Sequence, residues 1–367
     1  MGFVGIFIPI YLLELGNSVS TTIAWLLTHH LSLLAGAFLV IYVSNTIGLV
    51  RCWWVRISLV TILFTGLFLL PYYPSLLFIL AIISGMESAF FWIPYNILTV
   101  RKTEEKTVGS SLAFMSNVGS FVGIFVPGVA AFIIIAYGFN LLFAVALLFI
   151  IFSIIPVLPL SHEKTDFKFS LPEIRSIVRR NKHFILPEIL DNLSQDAGVI
   201  WTLFIFITAL TVLDIGLLGV ISGLLGIIIT HITGSLIDKW DKKRLVRFGA
   251  VATTLTWLLS YVVAIYSPTQ AILYIVTVLR GFSIGMFASS YGAIMFNRAR
   301  SFDAQFLVLR EVPTIFGRVI IFLITLFLIS VDQFELSFLF VGLISLYFWF
   351  NNLDNLTKKP DSSVPHA

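Results

Sequence analysis

The chain has 367 residues, of which 58% are hydrophobic and only 11% charged, with a formal net charge of +4 and a mean hydropathy of +1.00. A soluble domain carries about 25% charged residues, so a water-soluble globule of this size is excluded and an all-α integral membrane protein is predicted. An outer-membrane barrel is excluded too, because segments of about ten alternating residues do not occur.

The first apolar run, Gly2 to Leu13, is shorter than the roughly 20 residues that a helix needs to cross about 30 Å of hydrocarbon. It has no basic n-region and no small-residue cleavage site, so it does not read as a signal peptide. Eleven full spans follow, near 21–44, 53–70, 75–98, 108–136, 139–160, 184–212, 215–237, 246–266, 269–295, 304–330 and 334–353. Residues 161–183 read as a polar linker and 354–367 as a polar tail. Counting the short first run as span 1, these are spans 2 to 12.

Three of the 23 Lys and Arg residues, Arg280, Arg310 and Arg318, fall deep inside spans, which leaves 23 − 3 = 20. All 20 lie on one side: Arg51 and Arg56; Arg101, Lys102 and Lys106; the basic residues of the linker; the segment 239–247; Arg298 and Arg300; Lys358 and Lys359. The loops on the other side, "ELGNSVS", "PYYP", "YGFN", "TVLD", "YSPTQ" and "VDQFE", hold none. The positive-inside rule then predicts a multi-pass protein of the cytoplasmic membrane with its basic loops and C-terminus in the cytoplasm. Basic residues so placed set orientation and do not point to nucleic acid, and the single cysteine, Cys52, has no disulfide partner.

The two sides of the linker echo each other. "SNVGSFVG" (116–123) sits over "REVPTIFG" (310–317) at an offset of 194, and Gly85, Phe91 and Tyr95 sit over Gly281, Phe287 and Tyr291 at an offset of 196. Parallel duplication of six-span halves is an architecture of secondary transporters. Residues 1–160 and 184–353 are the predicted six-helix bundles. The same comparison sets Pro9–Gly16 opposite Ile200–Ile207, so the first half lacks a counterpart of roughly 184–199 and the first span reads as clipped.

The loop between spans 8 and 9 carries Gly234, Leu236, Asp238, Lys239, Trp240 and the basic run Lys242, Lys243 and Arg244. It resembles the G-x-L-x-D-[RK]-x-G-[RK]-[RK] loop signature of the major facilitator superfamily, whose duplicated twelve-span topology fits nearly the whole chain. The resemblance implies a cytoplasmic gate in which the aspartate faces a helix N-terminus, where a carboxylate gains roughly 0.3–1 kcal/mol. Asp241 stands where the signature has glycine, and Ile47 stands where the first half would carry its own aspartate. "GSFVGIFVPG" in span 5 partly resembles the Gly/Pro motif of the family's antiporters, a lean toward export.

Ionisable groups inside a bilayer cost a few kcal/mol or more and face a cavity or a partner. Glu87 in span 4, Asp191 and Asp196 in span 7, Arg280 in span 10 and Arg310, Glu311 and Arg318 in span 11 are the candidates for substrate binding or proton coupling, joined on the same faces by Tyr95, Gln195 and Tyr291. The resemblance makes spans 1, 4, 7 and 10, backed by 2, 5, 8 and 11, the lining of a central cavity. Spans 3, 6, 9 and 12 are then outer supports without charge in their apolar runs. At 100° per residue, Glu188, Asp191, Asn192, Gln195 and Asp196 cover about 140°, and Arg310, Glu311, Thr314 and Arg318 about 100°.

Plainer readings stand beside these. Arg280 and Arg318 serve equally as helix-pairing ions, and Glu188 reads as interfacial. His29, His30 and His231 have no metal-ligand companions and read as packing or interfacial residues; Trp25, Trp92 and Trp201 read as lipid-facing or packing residues, with stacking on a ligand the alternative for Trp92. Pro127, Pro187 and Pro313 permit bending of spans 5, 7 and 11. The leading expectation is a monomeric secondary transporter moving a small organic solute, proton-coupled, without metal or cofactor. A membrane-embedded enzyme would need a nucleophile–base pair or a metal cluster, and neither pattern occurs; a transport-dead sensor or scaffold is the other alternative. No P-loop is present.

Overall fold

The computed structural model describes residues 5–102, 108–153, 155–158, 171–208, 210–237, 241–266, 269–299 and 304–351. Among them there is no strand, and twelve α-helices follow one another: α1 (Phe7–Glu14), α2 (Val19–Ile47), α3 (Cys52–Leu69), α4 (Leu77–Lys102), α5 (Val108–Phe152), α6 (Leu171–Thr208), α7 (Val212–Ile237), α8 (Lys242–Ile265), α9 (Gln270–Ala299), α10 (Ala304–Ser330), α11 (Leu336–Ser345) and α12 (Tyr347–Phe350). Eight segments are long and apolar enough to cross a membrane.

Local chemistry sets the visible boundaries. Ser18 caps α2 by accepting from the Thr21 amide at 3.1 Å, and Gly48, with φ +93°, ends it. Gly138, at φ +82°, breaks α5 into two limbs that hold spans 5 and 6. α6 starts at Leu171, inside the stretch read from sequence as linker, and runs without a break through Pro187. Its opening turns are too polar to register as a span, which is why hydropathy placed the start near residue 184.

The packing repeats itself. In the first half α4 packs on α2 and α3; in the second, α9 packs on α7 and α8. The halves meet through two matched contacts, α2 against α10 and α5 against α7. In terms of spans these are 2 with 11 and 5 with 8, which exchange under the repeat. Close approach between helices depends on small residues. A Cβ on Gly85 of α4 would stand 2.1 Å from the His29 carbonyl oxygen of α2, and one on Gly317 of α10 would stand 2.1 Å from that of Ile189 in α6. Large apolar side chains such as Phe38, Phe132 and Phe327 are more than half exposed on the outside, as lipid-facing side chains are.

Candidate functional site

Glu87, fully buried in α4, is held from behind. Arg56 of α3 donates from Nε to its Oε2 at 3.3 Å and lies over the Phe91 ring at 4.4 Å, while Ser88 donates to Oε1 at 3.3 Å. This corrects two sequence readings. Arg56 is a buried residue, 5% exposed, not a loop anchor, and an outer support helix does carry a charge. At the repeat offset of 196, Glu87 corresponds to Ser283, whose Oγ lies 3.0 Å from Thr256 Oγ1 of α8. Both halves therefore fasten their third helix to their fourth at the same register, one with an ion pair and one with hydroxyls. Tyr95, one turn beyond Phe91, is half-buried and stacks on it.

A polar chain runs along the contact of α6 with α10. Glu188, read from sequence as interfacial, is 1% exposed. Its Oε1 accepts from Arg310 Nε at 2.7 Å, Thr314 Oγ1 at 3.0 Å and Asn192 Nδ2 at 3.2 Å. Asn192 Oδ1 in turn accepts from Arg318 Nη2 at 3.2 Å, and Arg318 Nε stands 3.8 Å from Asp196 Oδ1. On the same helix Gln195 donates to the buried Asp191 at 2.9 Å. Glu311 is half-buried and has no ion pair within 4.0 Å among the described residues.

The chain ends at the seam between the halves. His30 Nε2, on α2, lies 2.9 Å from Asp196 Oδ2, and the imidazole stacks on Phe322 of α10 at 5.4 Å. The three side chains share a depth: His30 is 11 residues into α2, while Asp196 and Arg318 each lie 12 residues before the end of α6 and α10. At 1.5 Å per residue that is about 17–18 Å from the end opposite the basic loops, near the middle of a bilayer. His30 is the residue that sequence reasoning missed. Beside it, His29 Nδ1 lies 2.9 Å from Ser84 Oγ of α4.

Arg280 of α9 stands apart from this chain. It is 4% exposed, its guanidinium lies 3.7 Å from the ring centre of Trp257 in α8 and 5.3 Å from that of Trp201 in α6, and its Nε has no hydrogen-bond partner. The rest of its face turns into the second half: Phe287 and Tyr291 pack on Phe348 of α12, and the Tyr291 hydroxyl is buried without a partner. The Phe287 and Tyr291 end of the predicted stripe is therefore a bundle-interior face, not the wall of a wet cavity.

The fold of two packed repeats is matched by known proteins. The sequence profile of the Major Facilitator Superfamily matches residues 1–213, more than half of the chain. The chain belongs to the Major Facilitator Superfamily. It is a transporter, not an enzyme. A D-xylose–proton symporter superposes with a TM-score of 0.74 over 98% of this chain and 95% of its own, at 14% identity. A bacterial homologue of the iron transporter ferroportin, in an inward-facing state, gives 0.66 over 95% and 94% at 15% identity. The E. coli fucose:proton symporter gives 0.66 over 95% and 93% at 10% identity. Identities this low establish the fold. Among curated proteins no sequence matches.

Of the transporter's gate signature, Asp238 and Lys239 lie outside the described residues, as do the side chains around Gly234 and that of Lys242. Lys243 is half-buried and Arg244 exposed at the start of α8. Asp241, the departure from the signature, is the N-cap of α8: its Oδ1 accepts from the Lys243 amide at 3.1 Å. A groove of about 500 Å³ opens toward the basic end, between Phe38 of α2, Ile185 of α6 and Phe316 of α10.

Proposed function

We propose that this transporter moves a small organic solute across the cytoplasmic membrane by alternating access, coupled to protons, with its basic loops in the cytoplasm and a lean toward export. The halves 1–160 and 184–353 are the rocking units, and the protein works as a monomer. The observation that carries the reading is the 2.9 Å approach of His30 to Asp196 across the seam. An ionised carboxylate, an imidazole and the Arg318 guanidinium at mid-membrane depth attract one another strongly in a poorly polarisable setting. A proton delivered to Asp196 removes the negative charge that holds α2 against α6 and α10. Parting of the halves is then linked to protonation, as coupling requires.

Two observations support a seam that is closed at the end opposite the basic loops. Gly216 and Gly219 of α7 meet Ala131 and Pro127 of α5 so closely that an added Cβ would stand 2.4 and 2.6 Å from them. The apolar groove between α2, α6 and α10 lies toward the basic end. Two structural neighbours are named as proton symporters, which supports the choice of coupling ion. The transporter reconstituted in lipid vesicles with an imposed proton gradient tests the reading: gradient-driven solute flux in the wild type and its loss in Asp196→Asn support it, and gradient-independent flux of equal size in both overturns it.

A further inference from the structure

The other three arginines deep in the described helices are met by acids or amides: Arg56 by Glu87, Arg310 by Glu188, and Arg318 by Asn192 and Asp196. The Arg280 guanidinium has no acid within 4.0 Å and no hydrogen bond among the described residues. A buried carboxylate left alone takes up a proton and becomes neutral, but a guanidinium keeps its charge. Its charge is softened here by the faces of Trp257 and Trp201. Ring stacking engages the flat face of the guanidinium and leaves its five N–H donors, which lie in the plane, unused.

Those donors lie beside Gly198 of α6. Arg280 Nη2 is 3.7 Å from the point where a Cβ of Gly198 would stand. Gly198 is half-exposed, and one turn away on the same helix Gln195 is exposed. Asp191, Gln195, Gly198 and Thr202 fall within about 60° of one another around α6. The missing side chain at 198 is thus a notch one turn from the exposed Gln195, and the arginine lies at its back.

We infer that Arg280 is the receptor for an oxyanion group of the transported solute, a carboxylate or a phosphate, which reaches the guanidinium past Gly198 and takes its free N–H pair in a two-pronged contact. The even balance of acids and arginines in the sequence gives no preference between anionic and cationic solutes. Once pairing is taken into account, Arg280 is a permanent charge left unmet deep among the described helices, and it is positive. The inference rests on the transporter reading but names its substrate class.

Thermal unfolding of the purified full-length protein in detergent tests it, with gluconate, malate and inorganic phosphate as probes and glucose and erythritol as uncharged counterparts. The expected result is a rise in midpoint with at least one anion and none with the uncharged pair. Arg280→Met unfolds at a higher temperature than the wild type without probe, because a costly unpaired charge is gone, and responds to no anion. Arg280→Lys keeps a response that needs about tenfold more anion, since a point charge replaces the fork. Which anion acts separates carboxylate from phosphate. Absence of any anion response in the wild type, an equal response to glucose, or an anion response that persists in Arg280→Met would overturn the inference. Flux of an uncharged solute that is indifferent to Arg280→Met refutes this assignment alone, whereas anion binding without flux refutes the transport reading and leaves this one standing.

Discussion

His30 of α2 and Asp196 of α6 stand 2.9 Å apart across the seam between the two halves, with Arg318 of α10 3.8 Å from the other carboxylate oxygen. On the proposed reading this contact holds the halves together until Asp196 takes up a proton. Asp196→Asn is expected to lower gradient-driven flux at least about tenfold while solute still exchanges down its own gradient. His30→Gln acts on the same contact, so the double variant loses no more than the worse single one. Counterflow and gradient-driven flux in the same vesicles separate these outcomes; additive losses from the two substitutions would place the residues in separate steps.

Arg56 and Glu87 form a buried ion pair between α3 and α4 of the first half. Removing one partner of a buried pair costs about 3–5 kcal/mol, because the other charge is left uncompensated, whereas replacing both with apolar residues is close to neutral. Thermal unfolding of Glu87→Leu should show a large loss and Arg56→Met with Glu87→Leu should recover most of it. A double variant as unstable as the single would show that Glu87 is held by something other than Arg56.

Gly317 and Gly123 occupy the same place in the repeat, at an offset of 194, yet their surroundings differ. A Cβ at 317 meets the Ile189 backbone, while one at 123 meets nothing within 4 Å. Gly317→Ala is therefore expected to cost about 1–3 kcal/mol through overpacking, and Gly123→Ala to be neutral or stabilising by up to about 1 kcal/mol. The ranking of their unfolding midpoints checks both at once.

Asp241 supplies a cap where the superfamily's loop signature has glycine. Asp241→Ala should destabilise α8 by about 1 kcal/mol, and Asp241→Gly by only a few tenths, since glycine is itself tolerated at that position. Equal effects of the two would mean that the carboxylate does not cap.

The fold was legible in the sequence because the bilayer forces it to be. Apolar length, the 20-to-0 placement of basic residues and the matched Gly85 and Gly281 needed no knowledge of contacts. The site was only half legible. Asp196, Arg310 and Arg318 stood out because charges inside spans are rare, but His30 looked like any histidine on an apolar helix, and its partner is 166 residues away. The equal depth of His30, Asp196 and Arg318 emerges only with the true helix ends at Val19, Thr208 and Ser330, of which hydropathy placed only the last. Arg56 was hidden because the start of a span looks like a loop in hydropathy. The face of α9 was misassigned because polarity alone does not say which neighbour a helix turns toward, and Phe287 and Tyr291 turn toward Phe348.

The account depends on the halves parting at the end opposite the basic loops during each cycle. A Cβ on Gly128 would stand 2.9 Å from Val220 Cγ2 across the α5–α7 contact, within reach of a disulfide if both positions carry cysteine. Solute flux in vesicles bearing Gly128→Cys with Val220→Cys measures this directly, with Cys52 buried and apart. Oxidation should stop flux and reduction should restore it; full flux through the cross-linked protein would contradict alternating access.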